Sequence, residues 1–199
     1  MKFKKSKSII AAVLCAATVF TSFAISCKKP NNSGSNSSSV NGGDNVKFLD
    51  TDIIKNGTTE YKIVVSESDG SMSAYAANEL NTFFAEASGV EFEKVTDDKA
   101  TYSSSAKYLS IGDTSLMQAA GVTYDKAELG DSGYQVKTVG NTVFMLGGRY
   151  GVIYAAYEFM KNTIDFRVYS EDEIHYDTGV RNLKLPDLNV KDVPDFQYR

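Results

Sequence analysis

The single histidine of this chain, His175, lies in the run Glu171-Asp172-Glu173-Ile174-His175-Tyr176-Asp177. An imidazole among carboxylates can act as a general base or a metal ligand. The same run also describes a solvated acidic loop, and that reading is favoured. Without His175 no Ser-His-Asp set can be assembled. Two other acidic groups, Asp97-Asp98 and the stretch from Asp125 to Asp131, offer carboxylates. Hydrolysis of a glycosidic bond commonly needs two opposed carboxyls on rigid strand ends around a pocket. These acids fall in loops with no glycine-aromatic frame, so a surface role is expected. Gly112-Asp113-Thr114 and Gly147-Gly148-Arg149-Tyr150-Gly151 each sit where a strand turns into a helix. Amides at a helix start can hold an anion. Neither run matches a phosphate loop, and no lysine follows in the required place. Tight packing of helix on sheet is the expected reason for the glycines. Tyr150, Tyr154 and Tyr157 run along one helix. Exposed, they would be glycan contacts; they also flank an apolar face, where a tyrosine packs its ring and keeps its hydroxyl at the edge. Packing is favoured. No catalytic residue, metal site or cofactor is assigned.

The elements that must position these residues are legible in part. Tyr134 to Val139 and Thr142 to Leu146 alternate with period two about Gly140-Asn141, a hairpin with a primed turn. From Gly151, Val152, Ile153, Ala156, Phe159, Met160 and Thr163 recur at helical spacing. A second helix is expected from Ser71 or Ser73, carrying Met72, Ala76, Leu80, Phe83, Phe84 and Ala87, and stopped by Gly89. Short strands are expected at Glu60–Ser66, Phe92–Thr96, Lys107–Ile111 and Phe166–Tyr169, and a short helix near Ser115–Ala120. Asn182 to Val190 reads as extended, kept out of a central strand by Pro186. The expected fold is α+β, an α/β sandwich: a mixed sheet of about five or six strands with two long helices packed on one face.

Residues 1–26 have the shape of a signal peptide: four lysines, then an apolar middle rich in alanine, then small residues. The run Phe23-Ala24-Ile25-Ser26-Cys27 looks like a lipoprotein processing site, with Ala24 where leucine is usual, so Cys27 is the expected lipidation residue. Residues 27–55, rich in Ser, Asn and Gly, are expected to be a flexible tether. Residues 56–180 are expected to form one α/β domain and residues 181–199 an extended linker. These expectations place the domain outside the cytoplasm, held to a membrane only through the lipid anchor, with plain secretion as the alternative. Both cysteines, Cys15 and Cys27, lie in the targeting region, which leaves no disulfide and no thiol nucleophile for the domain. Removing four of the 21 basic residues and none of the 25 acidic ones leaves a balance of about −8. So acidic a domain is a poor partner for nucleic acid.

Three blocks carry a resemblance: Ile63 to Ala100, Tyr108 to Thr114, and Gly130 to Asp177. Their most specific pieces are Ala76-Ala77-Asn78-Glu79-Leu80 and the run Gly147 to Phe159. In order and spacing they resemble the pre-barrel α/β domain of family-20 β-hexosaminidases (a domain 2-like fold) and of family-67 α-glucuronidases, enzymes acting on O-glycosyl bonds. The ending, Val193-Pro194-Asp195-Phe196-Gln197-Tyr198-Arg199, resembles the lead-in to the first barrel strand of such enzymes. There the arginine contacts sugar hydroxyls, which implies a substrate-binding role for Arg199. The resemblance implies a non-catalytic accessory domain, truncated or stand-alone, whose partner is a catalytic TIM barrel absent from this chain. By itself the chain is then expected to be inactive. The alternative is a cell-surface glycan-binding lipoprotein module without a hydrolase partner.

Overall fold

A computed structural model describes residues 46–68, 70–170 and 172–195. The stretch read as signal peptide, most of the stretch read as tether, and Cys27, Glu171 and Arg199 lie outside the described residues. In chain order the elements are β1 (Phe48–Ile54), β2 (Lys62–Val65), α1 (Ser71–Ser88), β3 (Glu93–Thr96), β4 (Tyr108–Ile111), α2 (Ser115–Ala119) and α3 (Lys126–Leu129). Then come β5 (Tyr134–Val139), β6 (Thr142–Gly147), α4 (Gly151–Ile164), β7 (Arg167–Ser170), β8 (Glu173–His175), β9 (Leu183–Pro186) and β10 (Asn189–Asp192). Among the described residues no helix is long and apolar enough to cross a membrane.

The main sheet has six strands in the order β10-β5-β6-β4-β2-β3. Strands β3, β2, β4 and β6 run parallel, while β5 is antiparallel to both β6 and β10. Parallel strands are normally covered on both faces, and β6 shows it: Thr142 through Leu146 are all buried. Val143 and Met145 face one core with Ile63, Leu109 and Ile111. Phe144 and Leu146 face a smaller one with Val64, Leu116 and Val122. The two long helices α1 and α4 cover the first face side by side, their contact built on Ala76, Ala77, Leu80, Phe84, Ala155, Ala156, Phe159 and Met160, all fully or almost fully buried. The ring of Phe84 lies 6.0 Å from that of Phe159 and 5.2 Å from that of Phe92. The second face is closed by α2 and by Tyr102 of the β3–β4 connection.

The local stops follow the residues that make them. Gly89 ends α1 in a left-handed conformation at φ 73°, its N–H donating to the Ala85 carbonyl. Asp165 does the same for α4 at φ 51°, and its carboxylate takes two hydrogen bonds from Arg167. In the hairpin Gly140 is at φ 59° while Asn141 is not at positive φ, the pattern of a II′ rather than a I′ turn.

Three expectations change. Residues 48–54, read as tether, form β1, which pairs antiparallel with β9 and buries Ile53 and Ile54. Asp50 and Asp52 interrupt its apolar pattern, yet both pair across the strands with Lys184 at 2.8 and 3.2 Å. Residues 181–199, read as linker, supply both β9 and the sheet-edge strand β10, anchored by buried Leu183, Leu185 and Leu188. Pro186 ends β9 and so interrupts no ladder. Finally, the strand expected at Phe166–Tyr169 does not join the sheet. It forms β7, paired only with β8 in a separate, largely exposed hairpin.

Candidate functional site

The acidic groups singled out from the sequence act as local clasps. Asp97 accepts hydrogen bonds from the Glu67 and Ser115 amides at 3.2 and 2.7 Å, tying the end of β2 to the start of α2. Burial tends to raise its pKa, but those amide bonds, with further bonds from the Ser115 hydroxyl and its own backbone, outweigh it and leave the carboxyl below its usual value. A carboxyl depressed on folding stabilises above the unfolded value, about 3.9, and that contribution is lost as pH falls through the folded value. Asp97→Asn is therefore expected to lower stability at neutral pH and to flatten its dependence on pH below about 4, read from urea unfolding at several pH values. Equal acid sensitivity in both proteins would remove Asp97 from that role. Asp98 accepts from the Thr96 hydroxyl. Asp125 caps α3, accepting from the Ala127 and Glu128 amides at 2.9 and 3.2 Å.

His175 is exposed in β8, its Nε2 3.6 Å from Asp165 Oδ2. Among the described residues no group of three or more His, Cys, Asp or Glu side chains could hold a metal ion.

The three tyrosines differ in setting. Tyr150 is exposed, with the Arg149 guanidinium 5.1 Å from its ring centre. Tyr154 and Tyr157 are half-buried at the margin of the main core. Tyr157 packs its ring 5.1 Å from Phe166 and donates its hydroxyl to Glu79 at 3.1 Å. Burial, then the Glu79 charge, raise the pKa of that hydroxyl. Tyr154 and Tyr157 line an open groove of about 300 Å³ with Tyr134, Tyr169 and Phe166.

A second recess lies at the carboxyl ends of the parallel strands. After β2 the chain enters α1 on one face of the sheet, whereas after the neighbouring β4 it enters α2 on the other. Where adjacent parallel strands send their connections to opposite faces, a crevice opens, and ligands of open α/β sheets bind there. Here it measures about 360 Å³. Gly112, Gly147 and Gly148 form backbone surfaces in it, Met72, Tyr124 and Val152 form its walls, and Ser73, Asp113, Lys126 and Arg149 supply polar groups. Asp113 accepts from both the Tyr124 hydroxyl and the Lys126 ammonium, and that ammonium sits 5.9 Å from the Tyr124 ring centre. No carboxylate of the described residues pairs with Arg149.

The glycines beside the crevice serve packing, as the sequence suggested. A Cβ on Gly148 would fall 1.7 Å from the Gly130 carbonyl oxygen, and one on Gly151 1.9 Å from that of Gly133. The first amides of α4 are taken: those of Tyr150 and Gly151 donate to the Asp131 carbonyl at 2.8 and 3.0 Å. Sequence reasoning missed the grouping of Asp113, Tyr124, Lys126 and Arg149. Its one visible trace was the pair of glycine-containing steps at the ends of β4 and β6.

No family model matches the chain, and no curated protein matches it. Among solved structures it is similar to a family GH115 4-O-methyl-alpha-glucuronidase, BtGH115A, with TM-score 0.40 and 10% identity over 55% of this chain and 14% of that one. It is also similar to the GH20 beta-N-acetylhexosaminidase from Streptomyces coelicolor A3(2), with TM-score 0.47 and 14% identity over 78% of this chain and 26% of that one. A third is CpGH84D, with TM-score 0.38 and 12% identity over 72% of this chain and 22% of that one. The chain thus spans about a quarter or less of the length of each. The likeness is to parts of glycoside hydrolases, and at this level it carries no argument about activity.

Proposed function

We propose that this is the non-catalytic accessory domain of a secreted carbohydrate-active enzyme, whose role is to pack against and buttress a catalytic barrel. The observation that carries the proposal is the β7–β8 hairpin. It lies outside the main sheet, and its directly paired Val168 and Ile174 are 53% and 42% exposed, next to Tyr169 at 67%. Exposed apolar side chains in a hairpin that packs on nothing else in the sheet favour association with another surface. The wording of Gly147 to Phe159 and of Val193 to Arg199 supports a barrel as the partner. In this reading Cys27 carries the lipid that tethers the domain outside the membrane, and Arg199 belongs to the barrel's sugar site. Chromogenic N-acetylglucosaminides and glucuronides incubated with the 199-residue chain are expected to show no turnover above the blank. Robust turnover would overturn the proposal.

A second reading, a glycan-binding surface module, is favoured by one observation: the exposed Tyr169 ring beside the groove of Tyr134, Tyr154 and Tyr157. Affinity electrophoresis in polysaccharide gels separates the two. Saturable retardation that Tyr169→Ala abolishes would replace the accessory reading with this one.

A further inference from the structure

We propose that the crevice at the carboxyl ends of β2, β4 and β6 binds a small hydroxylated oxyanion of monosaccharide size, a sugar carboxylate or sugar phosphate. The inference is independent of the accessory role, since it concerns another face of the domain and another kind of ligand.

Four observations converge on it. The first is topological: β2 and β4 are hydrogen-bonded neighbours whose following helices lie on opposite faces, so the recess is a consequence of chain path. The second is size. About 360 Å³ lies at the small end of the range for ligand pockets, which suits one sugar ring with its substituent. The third is charge. The formal net charge of the chain is −4, yet the described residues lining the crevice include two cations, Lys126 and Arg149, and one acid, Asp113. A cationic recess on an acidic protein concentrates anions locally. Lys126 is bound to Asp113, whereas Arg149 has no carboxylate partner among the described residues, which leaves its planar fork for a ligand oxyanion.

The fourth observation is preorganisation. Asp113 holds Tyr124 and Lys126 in one hydrogen-bonded clasp, which fixes an aromatic wall and a polar edge before any ligand arrives. Across from it, Gly147 and Gly148 bring main-chain groups into the lining, held there by their close packing against the 130–133 loop and the start of α4. The Arg149 fork takes the oxyanion, the Tyr124 ring lies along the sugar face, and the Asp113 clasp meets the hydroxyls.

The test is a titration of the ¹⁵N-labelled full chain followed by amide chemical shifts. The probes are glucose 6-phosphate, gluconate and neutral glucose. Saturable shifts confined to Gly112, Asp113, Tyr124, Gly147, Gly148 and Arg149 are expected with one or both anions and not with glucose. Arg149→Met is expected to weaken that binding roughly tenfold, the loss of a charge-assisted hydrogen bond. Lys161→Met, a charge change elsewhere on the surface, is expected to leave it unchanged. Shifts spread evenly over surface cations, equal response to glucose, or no shift at these amides in the parent chain would each overturn the proposal. So would an Arg149→Met variant that binds like the parent.

Discussion

Alanine at Gly148 is expected to be among the most damaging single substitutions in this domain. The added Cβ would lie 1.7 Å from the carbonyl oxygen of Gly130, a backbone atom that no side-chain rotation can move. Relief requires the 130–133 loop to separate from the start of α4. That loop is tied there by its own hydrogen bonds, from the Tyr150 and Gly151 amides to Asp131 and from the Gly148 amide to Gly133 at 3.2 Å. Overpacking in a well-filled site costs about 1–3 kcal/mol and more where the backbone must shift, so about 3 kcal/mol or more is expected here. Total stabilities are only about 5–15 kcal/mol, so the loss is a large share. The measurement is the urea midpoint at constant m-value, with Gly70→Ala as the control. Gly70 has nothing within 4 Å of an added Cβ, and its φ of −69° suits any residue. As the N-cap of α1 its substitution is expected to cost about 0.5–1 kcal/mol, well below the loss at Gly148. A Gly148→Ala protein with the parent midpoint would show that the loop and helix do not pack as described.

Truncation of Phe84 to alanine is expected to cost about 3–5 kcal/mol, for the opposite reason: a void instead of a clash. Phe84 is fully buried between α1, α4 and Phe92, just before β3, and its ring touches those of Phe92 and Phe159. Phe84→Leu should restore much of the loss by refilling part of the volume. Tyr169→Ala, removing a ring 67% exposed, should change stability by no more than about 0.5 kcal/mol. Comparable losses at positions 84 and 169 would mean that the two long helices do not enclose a common core.

The hairpin Tyr134–Gly147, both long helices and the Gly89 stop of α1 were legible because their signals are local; the Asp165 stop of α4 was not. Period-two alternation, 3.6-residue spacing and Gly89 all act within one turn or one strand of the residues that carry them. The exposed β7–β8 hairpin was legible only as a strand. Its partner β8, Glu173-Ile174-His175, lies in an acidic run that reads as loop, and nothing local says that it stays outside the sheet.

The acids illustrate the same divide. Asp125 caps the four-residue helix α3, a stretch that the sequence reads as loop. Asp97 reaches Glu67 and Ser115, and Asp113 reaches Tyr124 and Lys126. Only the folding of separate strand ends onto one edge of the sheet gives those residues their partners.

By itself, then, the sequence determined an α+β domain with two amphipathic helices, a tight hairpin and glycines where backbones touch. Tertiary structure alone decided that β1 and β9, some 130 residues apart, would pair, and that β10 would complete the sheet. It alone opened a crevice between β2 and β4. The physical reason is that propensity and periodicity act over a few residues, whereas strand partners and recesses depend on which surfaces remain to be buried once the helices have packed.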